Sequence, residues 1–198
     1  MIYNLTRVLK KYIFYYDSLP YLQSSLQQKK GDKRLIILGI DPGLAIMGYG
    51  LIEEAAGRLK MLDYGAVYTE AGVPLPDRLN DIFDGLSALI DRVKPEAVAF
   101  EELFFSKNVK TAIAVAQARG VAMAAAFKKD CALYEYTPLQ VKQAITGYGR
   151  AEKLQMQSMV KVLLNLRDIP KPDDAADALA LAICHAHSMR FQGAFRIK

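Results

Sequence analysis

From residue 35 onward the chain falls into short, dense apolar runs separated by turn residues, the pattern of buried strands. Leu35-Ile36-Ile37-Leu38-Gly39-Ile40 is apolar throughout and is broken by Asp41-Pro42-Gly43. Residues 48–52 read as a second strand and 59–69 as a third, and the short links between them predict an antiparallel meander. Leu79, Ile82, Phe83, Leu86, Ile90 and Val93 then recur at helical spacing ahead of Pro95. An apolar strand over 97–100 leads into Glu101. An alanine-rich helix over 109–127 follows, then a strand over 133–136 and helices over 138–146 and 152–165. A last helix starts just after Pro172, with Asp173 placed to cap it. This order predicts an α/β protein whose mixed five-stranded sheet is flanked by helices on both faces.

Residues 1–33 differ in character. Leu5, Val8, Leu9, Tyr12, Ile13 and Tyr16 fall on one face of a helix, and a polar stretch over 24–33 separates it from the strands. The expected organisation is an extension over 1–33, one domain over 34–190 and a tail over 191–198, since 198 residues suit a single well-filled core. A basic amphipathic arm could touch DNA, a membrane or a partner. The plainer reading, which we prefer, is a solvated extension or residues ahead of the true start. No apolar run reaches 18 residues, and the longest in the arm, 12–16, is too short for a signal-peptide core. Cys131 and Cys184 lie far apart, as ordinary buried thiols of a reduced, cytoplasmic protein.

Charge alters this picture only when it is divided. The net +5 resides in residues 1–34, which hold seven basic and two acidic residues. Residues 35–102 hold five basic and twelve acidic residues, whereas 103–171 hold eleven and four. A basic segment between acidic clusters suits a polyanion laid across a metal site, although helical surfaces also segregate charge by chance.

Asp41 and Glu101 each end an apolar strand, and Asp174 and Asp177 lie three apart at the start of a helix, on one face. If the two strands are parallel neighbours, both carboxylates leave the same sheet edge, and the last helix can bring the other two across. At about 4 Å and an effective dielectric near 20, each like-charged pair costs roughly 4 kcal/mol unless a cation intervenes. Four carboxylates without a His or Cys framework specify Mg²⁺ or Mn²⁺ rather than zinc. Such a cluster fits phosphodiester hydrolysis by two metals. Part of the placement has a plainer cause, because acidic residues favour helix N-termini.

Gly39-Ile40-Asp41-Pro42-Gly43 followed by Gly48-Tyr49-Gly50 resembles the opening of the RuvC family of bacterial Holliday-junction resolvases. Glu101-Glu102-Leu103-Phe104-Phe105-Ser106-Lys107-Asn108 resembles its second motif and Gln117-Ala118-Arg119-Gly120-Val121 the start of its interface region. Gln140-Val141-Lys142-Gln143, Gly149-Arg150-Ala151-Glu152-Lys153 and Asp174-Ala175-Ala176-Asp177 are similar to later segments, in the family's order. The resemblance implies an RNase H-like fold and a homodimer that nicks two strands symmetrically at a four-way DNA junction, in recombination and repair. It implies two Mg²⁺ per site, with Mn²⁺ able to substitute, and products with 5′-phosphate and 3′-hydroxyl ends. A branch-migration complex, RuvA–RuvB, is the implied partner. Asp41, Glu101, Asp174 and Asp177 align with the catalytic, metal-binding carboxylates, and Phe104, Lys107, Lys142 and Lys153 with DNA-facing positions. Arg119 aligns with either the DNA face or the dimer interface. The chain departs from the family in its extension, in Met47 where threonine is common, and in the extra carboxylate of Asp173.

Glu102, next to Glu101 on a strand, is expected to face away, and His185 and His187 are read as packed or surface residues. Two other functions share parts of this pattern. An actin-like phosphotransferase also opens with Asp-x-Gly after a strand, but this chain lacks the duplicated domain and adenosine loop such proteins need. A junction-binding scaffold that no longer cuts sits poorly with four retained carboxylates.

Overall fold

The computed structural model describes residues 34–103, 109–189 and 192–197. The helix predicted within 1–33, and with it Phe104 and Lys107, lies outside the described residues. The apolar run after residue 34 becomes the middle of the sheet. β1 (Arg34–Asp41) pairs antiparallel with β2 (Ile46–Ala55), and β2 with β3 (Arg58–Tyr68), which is the expected meander. The β2–β3 turn is the two residues Ala56 and Gly57, both at positive φ, as a tight hairpin that follows strand twist requires. β4 (Ala97–Glu101) runs parallel to β1, and β5 (Ala132–Tyr136) parallel to β4, giving the order β3-β2-β1-β4-β5.

Strand alternation splits the core in two. Leu38, Ile40, Val98 and Phe100 pack with Leu86 and Leu89 of α1 (Leu75–Val93) and Ala118 and Ala122 of α2 (Val109–Phe127). Ile37, Ala97 and Ala99 face the other way, onto Leu179 and Ile183 of α5 (Asp173–Ser188). The same cluster takes Val141 of α3 (Pro138–Thr146) and Met156 of α4 (Lys153–Leu163). A five-stranded mixed sheet with helices on both faces is the RNase H-like arrangement the resemblance implies. Residues 192–197 fold back on β5: Phe195 of α6 (Gln192–Phe195) lies 4.9 Å from the Tyr136 ring, and Arg196 bridges to Tyr134.

α1 begins at Leu75, a turn before its first periodic residue, because Pro76 fits a helix's first turn, where its missing N–H is not needed. Asp173 does not cap α5. Pro172 occupies that position, and the Asp173 carboxylate is drawn instead to Lys171 Nζ at 2.7 Å and Lys153 Nζ at 3.5 Å.

Candidate active site

The alternation that divides the core also aims the carboxylates. Asp41 shares a face of β1 with Ile37 and Gly39, and Glu101 shares a face of β4 with Ala97 and Ala99, so both lie on the α5 side. The parallel register sets Ile40 beside Phe100, bringing the two acids to the same sheet edge one residue later. Asp174 and Asp177 reach that edge because α5 lies against the sheet backbone. A Cβ on Gly39 would overlap the Ala178 carbonyl, and one on Gly48 would overlap the Asp174 carbonyl. Gly48 stands directly across from Asp41 in the β1–β2 ladder, so the missing side chain clears the place where the helix brings Asp174 in. Sequence reading identified the acids but missed this bed of glycines. The signal was present as Gly39, Gly48 and Gly50, small residues on one face of two otherwise large-residue strands.

The electrostatics are those of crowded like charge. Burial, then the carboxylates of Asp177, Glu101 and Asp174, push the Asp41 carboxyl up to about 7. Burial and Asp177 raise Glu101, against the pull of Lys142. Burial raises Asp177 even though Lys153 Nζ lies 3.2 Å from its Oδ2. Lys153 itself is lowered by burial but raised more by Asp177 and Asp173. Asp173 is held below its ordinary range by Lys171.

Lys142 and Lys153, the two lysines expected at the DNA face that lie among the described residues, are positioned by helix starts. Thr137 caps α3 by accepting from Gln140 N–H at 3.2 Å while the Gln140 side chain accepts from Thr137 N–H at 2.8 Å, a box that stabilises a helix end by about 1 kcal/mol. Lys142 follows one turn later, half-buried and without an ion pair among the described residues. Lys153 opens α4, where Glu152 N–H donates to the Gln155 side chain at 3.0 Å. Lys142 and Lys153 line a cleft of about 190 Å³ together with Glu101 and Asp177, over a floor that includes Val141, Met156 and Leu181.

Arg119 is neither on open surface nor idle. It donates from Nε to the Glu101 carbonyl at 3.2 Å and from a terminal nitrogen to Glu135 Oε2 at 2.7 Å, with its guanidinium 5.8 Å above the Phe100 ring. It braces the end of β4 that carries Glu101. Met47 is fully buried in the cluster on the other face of the sheet, away from the acids. Glu102 lies just past the end of β4 and is exposed. His185 is fully buried, with Nδ1 2.7 Å from the Tyr136 hydroxyl, and burial lowers its pKa to about 4. His187 is exposed beside the Ala144 carbonyl. Neither histidine joins the carboxylates. Both cysteines are free thiols and buried.

Among the described residues, no three acidic, histidine or cysteine side chains stand close enough to enclose an ion as they are. A hard cation nonetheless fits the donor set: four carboxylates, all oxygen, one of them pushed to about 7 by its burial and then by its neighbours. Asp41, Glu101, Asp174 and Asp177 would hold it.

A family model described as crossover junction endodeoxyribonuclease RuvC matches residues 37–185. The crossover junction endodeoxyribonuclease RuvC of Alkaliphilus metalliredigens is 56% identical over 164 residues, covering 83% of this chain and 100% of that protein. Its counterpart from Desulfitobacterium hafniense is 58% identical over 155 residues, covering 78% and 94%. Among solved structures, T. thermophilus RuvC in complex with Holliday junction substrate superposes with a TM-score of 0.74 at 34% identity, over 82% of this chain and 99% of that one. The chain belongs to the RuvC family of crossover junction endodeoxyribonucleases.

Proposed function

We propose that this chain resolves four-way DNA junctions by paired symmetric nicks, hydrolysing one phosphodiester in each of two strands. The observation that carries the reading is the convergence of Asp41, Glu101, Asp174 and Asp177, from segments far apart in sequence, at one sheet edge beside Lys142 and Lys153. Two Mg²⁺ ions, when bound there, would supply Lewis-acid stabilisation for both the attacking and the leaving oxygen of the phosphate, and Mn²⁺ has the same hard-oxygen preference. The chain's own residues do the positioning. The four carboxylates balance the cations, Arg119 holds the Glu101 end of β4, and Lys142 offers unspent positive charge to the strand being cut. Lys153, over half exposed, screens Asp173 and Asp177 from each other and from an approaching phosphate. Phe104 and Lys107 are proposed as further DNA contacts, since an aromatic ring can stack on an unpaired base at a junction centre.

Paired nicks require two sites, and we assign the pairing of protomers to α2. Ile113 and Phe127 are 54% and 73% exposed, and Ala116, Gly120 and Ala124 lie exposed along the same helix. An apolar stripe with small residues between large ones lets two helices approach closely. The test is cleavage of a synthetic mobile four-way junction, with linear duplex as control, in Mg²⁺ and then in EDTA. Metal-dependent symmetric nicks that ligase seals are expected, leaving 5′-phosphate and 3′-hydroxyl ends. Junction binding without cleavage in either Mg²⁺ or Mn²⁺ would replace the nuclease reading with that of a binding scaffold.

A further inference from the structure

A second opening meets the carboxylate cluster away from the lysine-lined cleft. It is a groove of about 560 Å³ bordered by the β1–β2 loop at Gly43, Leu44 and Ala45, by Arg78 of α1 and by Thr111 of α2, and it ends at Asp174. The lysine-lined cleft ends at Glu101 and Asp177. The two openings therefore reach different acids of one cluster, Asp174 from the groove and Glu101 and Asp177 from the cleft.

Among the described residues that line this groove, Arg78 is the cation. It stands in a segment, 35–102, where acidic residues outnumber basic ones twelve to five. Its companion on α1, Arg92, is tied to the buried Asp63 at 3.1 Å. Arg78 is half-buried, and no carboxylate pairs with it among the described residues, exposed Asp77 beside it included. Its Nε donates to Thr69 Oγ1 at 2.8 Å, and that hydroxyl donates onward to the Leu44 carbonyl at 2.5 Å. Thr69 N–H completes the tether by donating to the Ala45 carbonyl at 3.0 Å. The guanidinium is thus fixed to the loop that follows Asp41 through one nitrogen, with its other donors left for something that enters the groove. A half-buried, oriented arginine with unspent charge is a fork for a phosphate, which accepts two parallel N–H donors.

We infer that Arg78 binds a backbone phosphate of the DNA strand on the side of the scissile bond opposite Lys142, so that the strand is gripped on both flanks of the carboxylate centre. The inference rests on the junction-cleaving reading and adds to it a contact and a direction for the strand. Asp174 closes the groove's far end, which leaves the Arg78 end as the anion's place.

The experiment measures junction affinity by fluorescence anisotropy in EDTA, across a salt series, for wild type, Arg78→Gln, Arg78→Lys and Thr69→Val. Junctions carrying single neutral methylphosphonates at each position flanking the cleavage point are measured alongside. For Arg78→Gln the slope of log K against log salt is expected to fall by about 0.9, the loss of one phosphate contact, while Arg78→Lys retains most of it. Thr69→Val removes the tether and keeps the charge, so its slope stays that of wild type. One methylphosphonate position should weaken wild type and leave Arg78→Gln no weaker than it already is. An unchanged slope in a folded Arg78→Gln protein, shown by circular dichroism, overturns the inference. So does an equal penalty at every methylphosphonate position in both proteins. If wild type itself shows no preference for the junction over duplex and no cleavage in Mg²⁺, the junction reading fails instead, and the two failures are distinguishable.

Discussion

Replacing Asp41 with asparagine is expected to destroy cleavage and yet make the metal-free protein harder to melt. The Asp41 carboxyl is pushed from 3.8 to about 7 by burial and by Asp177, Glu101 and Asp174. In the unfolded chain it releases its proton near the ordinary value; in the folded chain it holds it until about pH 7. Between those values the folded state binds more protons, so its stability falls as pH rises. Above pH 7 the full penalty is present, and at about 1.4 kcal/mol per tenfold change in proton affinity its ceiling is about 4 kcal/mol. Asparagine carries no charge and escapes it. For a chain of this size 1 kcal/mol moves Tm by roughly 2–4 °C, so Asp41→Asn should melt about 8 °C higher at pH 8 in EDTA, with about 16 °C as the ceiling. The assay is thermal unfolding by circular dichroism at pH 5 and pH 8. At pH 5 the gap should narrow to about 1.7 kcal/mol, because folded Asp41 is protonated there while the unfolded carboxyl is already ionised, and it closes only below about pH 3.8. Adding Mg²⁺ or Mn²⁺ at pH 8 should raise the wild-type Tm and move the variant less. Equal Tm values at pH 8 without metal, or a lower one for the variant, would refute the idea that burial and the neighbouring carboxylates hold the Asp41 carboxyl above its ordinary value.

Asp174→Asn is expected to lower cleavage by about 10²-fold or more while junction affinity in EDTA stays unchanged, since the group serves the cation and not the DNA; band-shift and nicking assays on one preparation separate the two. Lys142→Ala should flatten the salt dependence of junction binding by about 0.9 in slope, and an unaltered slope would remove Lys142 from the strand's path. Gly48→Ala should cost about 1–3 kcal/mol in urea unfolding and abolish cleavage, because its methyl group meets the Asp174 backbone; normal turnover would mean that α5 shifts without moving its acids.

Most of this fold was legible because its strands alternate or saturate with apolar residues and its helices carry clear periods. The parallel pairing of β1 and β4 was only a condition in the sequence, yet the four acids converge only if it holds, and it does. What stayed illegible depends on who lies across from whom. Nothing local says that Gly48 faces Asp41 or that the α5 backbone rests on Gly39. Arg119, placed by motif at a DNA face or a protomer interface, spends its donors on the Glu101 carbonyl and Glu135, a choice made by the β4–β5 pairing. Asp173 looks like a cap in the sequence because acidic residues favour that position. Lys171 and Lys153, one of them twenty residues away, outbid the helix end for its carboxylate.

The docking of α5 on that glycine floor also sets a timetable. Asp41 and Glu101 belong to strands that can pair as soon as the first hundred residues are made, whereas Asp174 and Asp177 arrive on a helix that begins at residue 173. A nascent chain or a fragment stopped short of that helix holds two acids of four, with the α5 face of β1 and β2 uncovered. If the four acids act together as proposed, cutting power would be withheld until the last layer of the sheet's covering closes.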